Sequence, residues 1–186
     1  MTKSEERAKK REVILKKIRL VKNAEAEKKA CTILDRYLEA NHKNKTPERS
    51  FLLSLMYQLT VPADVETIHS LTEEHFGHVS PTTVYYALQL FIKAKIVRSI
   101  NLIENGRVFY EKTVDAPPLG YVICRNCGAI KTFPLSNVWS EAEQHISTGY
   151  HIDDITTIVN GTCRTCQRKI SKEKAAIRKQ KKNKQK

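Results

Sequence analysis

Residues 80–112 read SPTTVYYALQLFIKAKIVRSINLIENGRVFYEK, and their order decides the fold. Ser80 followed by Pro81 marks a helix start. The serine hydroxyl can accept from an N–H of the first turn, and proline at the first helical position forfeits no hydrogen bond. Val84, Leu88 and Phe91 then recur at helical spacing. RSINLI and RVFYEK are strand-like, and Asn105-Gly106 between them is the strongest short signal for a hairpin.

Working outward, three helices precede this segment. Residues 5–40 contain no Gly or Pro and carry Ile14, Ile18, Val21, Cys31, Leu34 and Leu38 at helical spacing. Thr46-Pro47 repeats the cap-plus-proline start, with Phe51, Leu52, Leu55, Met56 and Leu59 as its buried stripe. After the turn at 61–64, Asp64 can cap a third helix with Val65, Ile68, Leu71 and Phe76 on its apolar face, stopped by Gly77. Helices followed by a two-stranded ribbon give the order of a winged helix-turn-helix, whose last helix before the wing enters the major groove.

Asp115-Ala116-Pro117-Pro118 reads as a hinge. Beyond it come a strand at 120–124, a strand at 129–133, a helix at 136–148 between Ser136 and Gly149, and a strand at 151–160. The strands carry two C-x-x-C pairs, Cys124/Cys127 and Cys163/Cys166. Two thiolates three positions apart can face one ion, and two such turns supply the tetrahedral sulfur set preferred by structural zinc. A redox motif needs only one such pair, and disulfides need an oxidising compartment. The opening MTKSEERAKK has no apolar export region, so a reduced, cytoplasmic setting is expected. Cys31, within a helical apolar pattern, reads as a small core residue.

The fold class is therefore α+β: an N-terminal winged helix-turn-helix and a small α/β dimerisation unit with a four-cysteine zinc site. The expected divisions are a basic helical extension at 1–28, the winged helix at 29–114, the hinge at 115–119, the zinc unit at 120–168 and a Lys-rich tail at 169–186. Open strand edges in the zinc unit predict a partner copy, hence a homodimer. No apolar run is long enough to span a membrane.

Of the net +13, residues 1–50 carry +7 and 168–186 carry +9, while 51–167 carry −3. A slightly acidic middle between basic ends suits a polyanionic partner, most simply nucleic acid. Solubilising tails are the competing explanation for the C-terminal run. A Ser/His/Asp set and a Gly-rich phosphate loop are both missing, so catalysis is not expected.

Taken together, these residues resemble the ferric uptake regulator (Fur) family of metal-responsive repressors. The resemblance covers roughly residues 30–168. It rests on Thr46-Pro47-Glu48-Arg49, on Ser80-x-Thr82-Thr83-Val84-Tyr85, on the wing, and on the paired C-x-x-C around a strand–helix–strand module. It implies a homodimer on a palindromic DNA operator, with structural zinc holding the dimerisation unit. The family's usual His-rich stretch before the first zinc cysteine is replaced by Pro117–Tyr121. Ile155, Thr132 and the Val61-Pro62-Ala63 turn stand where other regulatory ligands are usual. Most of the regulatory metal set is therefore missing.

On a helical wheel, Val84, Leu88 and Phe91 share one face, while Thr82, Tyr86, Gln89 and Lys93 lie opposite, flanked by Thr83 and Tyr85. Ser80, Thr82, Thr83, Tyr85, Tyr86 and Gln89 are the expected DNA-contacting residues. The family usually places Arg at the position of Tyr86. A tyrosine there predicts a more AT-biased, less strongly specified site, with packing as its competing role. Phosphate contacts are assigned to Arg49, Arg98, Arg107, the lysines at 9, 10, 16 and 17, and the tail. His75, His78, His145 and His151 are candidate ligands for a second metal, with haem as a larger alternative effector. Two other readings remain: a constitutive, metal-independent DNA-binding regulator, and a zinc-knuckle adaptor on RNA or the ribosome.

Overall fold

The computed structural model describes residues 20, 24–103, 107–117, 119–135 and 155–183. Helix α1 spans Ala24–Ala40, α2 spans Pro47–Gln58, and a short strand β1, Ala63–Asp64, leads into α3, Val65–His75. Helix α4, Pro81–Lys93, runs into the wing strands β2, Val97–Ile103, and β3, Arg107–Lys112. Strands β4, Leu119–Cys124, β5, Ile130–Pro134, and β6, Thr157–Gly161, form a second sheet, and α5 covers Arg164–Asn183. The expected α+β order, helices into wing and wing into a cysteine-bearing sheet, holds.

The helix starts follow the sequence logic. The Thr46 hydroxyl accepts from Arg49 N–H at 3.4 Å, the Asp64 carboxylate from Thr67 N–H at 3.0 Å, and the Ser80 hydroxyl from Thr83 N–H at 3.1 Å. Each cap contributes about 1 kcal/mol. Gly77, at φ +115°, terminates the α3 segment in a conformation that side chains disfavour.

Helices α1 to α4 share one apolar core, in which Leu34, Leu52, Met56, Ile68, Leu88 and Phe91 are buried. Tyr57 lies at its base, donating to Ile96 C=O at 2.8 Å and accepting from Val114 N–H at 3.3 Å. Burial pushes the Tyr57 phenol up to about 12. The Lys112 ammonium donates to the Tyr57 and Leu59 carbonyls at 2.8 and 3.0 Å. It thereby satisfies the acceptors that the end of α2 leaves open.

The first sheet has the order β1-β3-β2 and the second β5-β4-β6, with β4 antiparallel to β5 and parallel to β6. Alternation along β3 joins the two halves of the molecule. Tyr110 belongs to the helical core, while Phe109 and its β2 partner Ile100 pack with Tyr121 and Ile123 of β4. Gly120 is fixed by its neighbour, because a Cβ there would lie 2.3 Å from the Phe133 ring.

Five expectations need correction. The long first helix does not reach back to Leu20, which makes an antiparallel bridge with Leu59 and so is extended; the described helix begins at Ala24. The extended backbone at Leu59 offers a pairing partner that a tally of helix breakers overlooks. Phe76 is not on a buried stripe: α3 stops at His75, and Phe76 is 40% exposed with its ring 5.0 Å from Phe51. The turn at 61–64 contains a strand, because Ala63 and Asp64 pair with Tyr110 and Phe109. Residues 155 and 156 precede rather than join the last strand. The Lys-rich segment after Cys166 is helical through Asn183. The hairpin tip at 104–106 and the helix expected at 136–148 lie outside the described residues.

Candidate metal centre and nucleic-acid interface

Strand β4 ends on Cys124, and the chain turns back through Gly128, whose φ of +69° permits a Gly128 N–H to Cys124 C=O bond of 2.8 Å. That turn presents Cys127. Arg125 N–H bonds Gly161 C=O at 2.8 Å, which brings the end of β6 alongside. Cys163 follows directly, its N–H donating to Cys124 Sγ at 3.2 Å. Cys166 falls in the first turn of α5, where Gln167 N–H bonds Cys163 C=O at 2.9 Å.

All four sulfurs lie within 4.8 Å of one another, and Cys127 and Cys163 are 3.8 Å apart. Four Zn–S bonds of about 2.3 Å around a tetrahedron place sulfurs about 3.8 Å apart, so the donor set fits that ion. Burial pushes the Cys124 thiol up, but N–H donors from Cys163, Cys127 and Asn126 outweigh it and bring it down to about 6. The N–H of Cys166 lowers Cys163. Burial and neighbouring thiols raise Cys127, and they raise Cys166 to about 12. A bound dication takes all four as thiolates, so its binding releases the protons that the raised thiols carry. Cys31 stands apart, packed half-buried against the helical core.

On α4, Val84, Leu88 and Phe91 are fully buried, and the opposite face is open. Tyr86 is 66% exposed and Tyr85 46%, their rings edge to face at 6.0 Å. Thr82 and Thr83 are exposed, although the Thr83 hydroxyl sits 2.9 Å from that of Ser80 within the helix cap. Gln89 is half-buried. Arg49, Ser80, Thr83, Tyr86 and His78 line one cleft between the start of α2 and α4. Arg49 also donates to Asn44 C=O.

The two wing arginines are committed within the fold. Arg98 pairs with Glu111 at 2.6 Å, and Arg107 with Asp64 at 2.8 Å and Glu66 at 3.4 Å. His75 is exposed, and His78 faces Glu73 at 3.5 Å. Neither joins a group of three metal donors among the described residues; the four cysteines are such a group. His145 and His151 lie outside the described residues.

Sequence reasoning missed two sets of residues. His69 donates from Nε2 to Val79 C=O at 2.8 Å, with its other nitrogen 3.5 Å from Glu73, so it braces the loop before α4. Tyr121, fully buried on β4, donates to the Glu111 carboxylate on β3 at 2.6 Å, and Glu111 holds Arg98 on β2. This tie crosses the hinge, and only a buried hydroxyl in an apolar strand hints at it.

A capped helix feeding a wing, joined to a sheet closed by four thiols, defines a two-part winged-helix protein with a four-cysteine cluster that could hold a metal ion. Residues 39–160 match the ferric uptake regulator family model, and the chain belongs to that family. Ferric uptake regulation protein 2 of Mycolicibacterium fortuitum is 33% identical over 128 residues, 65% of this chain and 84% of that protein. The peroxide operon regulator of Bacillus subtilis is 27% identical over 127 residues, 67% and 84% of the two chains. Among solved structures, the Helicobacter pylori ferric uptake regulator aligns with a TM-score of 0.65 at 17% identity. It covers 80% of this chain and 96% of its own, a likeness of fold. Among the described residues no helix is long and apolar enough to cross a membrane.

Proposed function

We propose that this protein is a homodimeric, zinc-structured transcriptional repressor that reads a palindromic DNA operator with α4. The observation that carries this reading is the face of α4: one side sealed into the core, the other presenting Tyr86 and Tyr85 to solvent just before a wing. Large exposed aromatics on a capped helix of this order suit insertion into a major groove. Ser80, Thr82, Thr83 and Gln89 complete the reading surface, with Tyr86 nearest the bases. Arg49 is the favoured phosphate contact, a reading supported by the cleft it shares with Ser80, Thr83 and Tyr86. Contacts by Arg98 and Arg107 require exchange of carboxylate partners for phosphates. Cys124, Cys127, Cys163 and Cys166 hold one Zn2+ per subunit, which cross-links the strand ends and does no chemistry on a substrate. Among the described residues β5 and β6 are the edges of this sheet, and a second subunit adding its strands at such an edge is the proposed dimer contact.

A binding-site selection on the full-length protein tests this reading. The wild type yields an inverted repeat with defined half-sites, and Tyr86→Ala binds duplexes but relaxes the preference within them. A selection that enriches nothing, or a Tyr86→Ala preference matching the wild type, sinks the assignment.

A second reading, constitutive DNA binding, is favoured by the Tyr121–Glu111–Arg98 tie, which joins the two halves with protein groups alone. Zinc-loaded protein titrated with Fe(II), Mn(II) and haem then shows unchanged operator affinity. A rise with any of them restores an effector-responsive repressor.

A further inference from the structure

We propose that α5 is a second DNA-binding arm, laid along the phosphate backbone of duplex DNA beside the operator and aimed by the thiol cluster at its root. The inference rests on the DNA-binding reading above and assigns a role to a helix that α4 and the wing leave unexplained.

At about 1.5 Å per residue, the 20 residues of α5 extend about 30 Å. Residues 164–183 carry nine Lys/Arg against one acid, Glu173, a net +8. Six of these nine charges share one side of the helical wheel, while Lys169, Lys174 and Lys181 lie outside it. At about 100° per residue, Arg164, Arg168, Lys172, Arg178, Lys179 and Lys182 fall within one arc of about 120°. Cys166, Ile170 and Ile177 fall on the opposite side, and Glu173 lies with them. On the wheel the apolar seam is thus continuous with Cys166, and the basic arc lies opposite it.

Such a helix does not hold itself together well. From Arg164 to Ala175 only Cys166 and Ile170 are even half-covered. The like-charged pairs Arg164/Arg168, Arg168/Lys172 and Lys174/Arg178 are each spaced four apart, where repulsion costs about 0.2–0.5 kcal/mol. What starts the helix is its root. Cys163 and Cys166 sit in a cluster shared with β4, so the nucleating turn is already fixed. A polyanion along the basic face would relieve the repulsion that remains. Duplex DNA offers about one charge per 1.7 Å, and a 30 Å helix lies along roughly nine base pairs. A membrane surface fits less well, because the apolar seam has two isoleucines and no Trp, Phe or Leu.

The test compares the full-length protein with two variants, a deletion of residues 171–186 and Ala175→Pro, which keeps every charge but breaks the helix. Fluorescence anisotropy is read on long duplexes with and without the selected operator, across a salt series. The deletion should lower the slope of log affinity against log salt by about 3.6 to 5.4, equal to about four to six lost phosphate contacts at about 0.9 each. Affinity should fall on the order of tenfold or more on both duplexes, leaving their ratio unchanged. Ala175→Pro should reproduce at least half of the loss.

A deletion with an unchanged slope overturns the arm. So does an Ala175→Pro variant that matches the full chain, since a flexible polycation would then suffice. Stronger dependence of structured RNA than of duplex DNA on residues 171–186 overturns it too, and makes the helix an RNA element. Dissociation of the dimer, with the slope per subunit intact, overturns it by making the isoleucine seam a contact between copies. Absence of any duplex binding by the full chain removes the proposed function as well, so the two failures are distinguishable.

Discussion

The two halves of this molecule are stabilised in different ways. The winged-helix half buries a continuous apolar core drawn from four helices and the wing, with Leu52, Met56, Tyr57, Ile68, Leu88 and Phe91 fully enclosed. Among its described residues the thiol half has Tyr121, Ile123 and Cys124 buried, leaves Val122 and Val159 exposed, and shares a cluster with Ile100 and Phe109 of the wing. Small units with little apolar burial need a staple, and four sulfurs supply the place for one. Apolar core and thiol cluster are thus what distinguish the two halves of one chain. The winged-helix half is expected to keep its shape when the metal is lost.

Removing the metal breaks the comparison most sharply. Structural zinc in small domains is linked to folding by on the order of 10 kcal/mol. Cys124→Ser, or a strong chelator, should therefore melt the thiol half and dissociate the dimer. Hydrogen exchange in α2 and α4 should stay protected, while β4 to β6 and α5 lose protection. Equal loss of protection in α4 would mean that the winged-helix core does not stand alone, and the contrast drawn above would fail.

What can be read in the sequence divides along the same line. The helix starts at Thr46, Asp64 and Ser80 are legible because capping is local: a hydroxyl or carboxylate bonds an N–H three residues on. The convergence of the four cysteines is legible because thiolate spacing has few uses. Leu20 is not, because its partner Leu59 is remote in sequence and no residue type announces a single bridge. Nor is α5, whose lysines read equally well as a solvated tail until the cysteine cluster is seen to fix its first turn. The engagement of Arg98 and Arg107 with Glu111, Asp64 and Glu66 is equally hidden. Sheet register brings Asp64 and Glu111 to those arginines, and the first turn of α3 brings Glu66.

The smallest expected effect lies where the halves meet. Tyr121→Phe deletes one hydroxyl, buried on β4, and leaves the ring in its cluster with Ile100 and Phe109. Glu111 keeps Arg98 at 2.6 Å, so the carboxylate is not abandoned. A hydrogen bond to a charged group contributes about 1.5–3 kcal/mol, and the surviving ion pair places the loss at the lower end of that range. Because the hydroxyl is on one half and the carboxylate on the other, the loss should appear as weaker coupling between them. In zinc-loaded protein, thermal unfolding followed in α4 and in β4 should coincide for the wild type and separate in Tyr121→Phe. The metal should remain bound at the lower of the two temperatures. Coincident transitions in the variant would show that the apolar cluster alone joins the halves, and would remove the tie as support for metal-independent DNA binding.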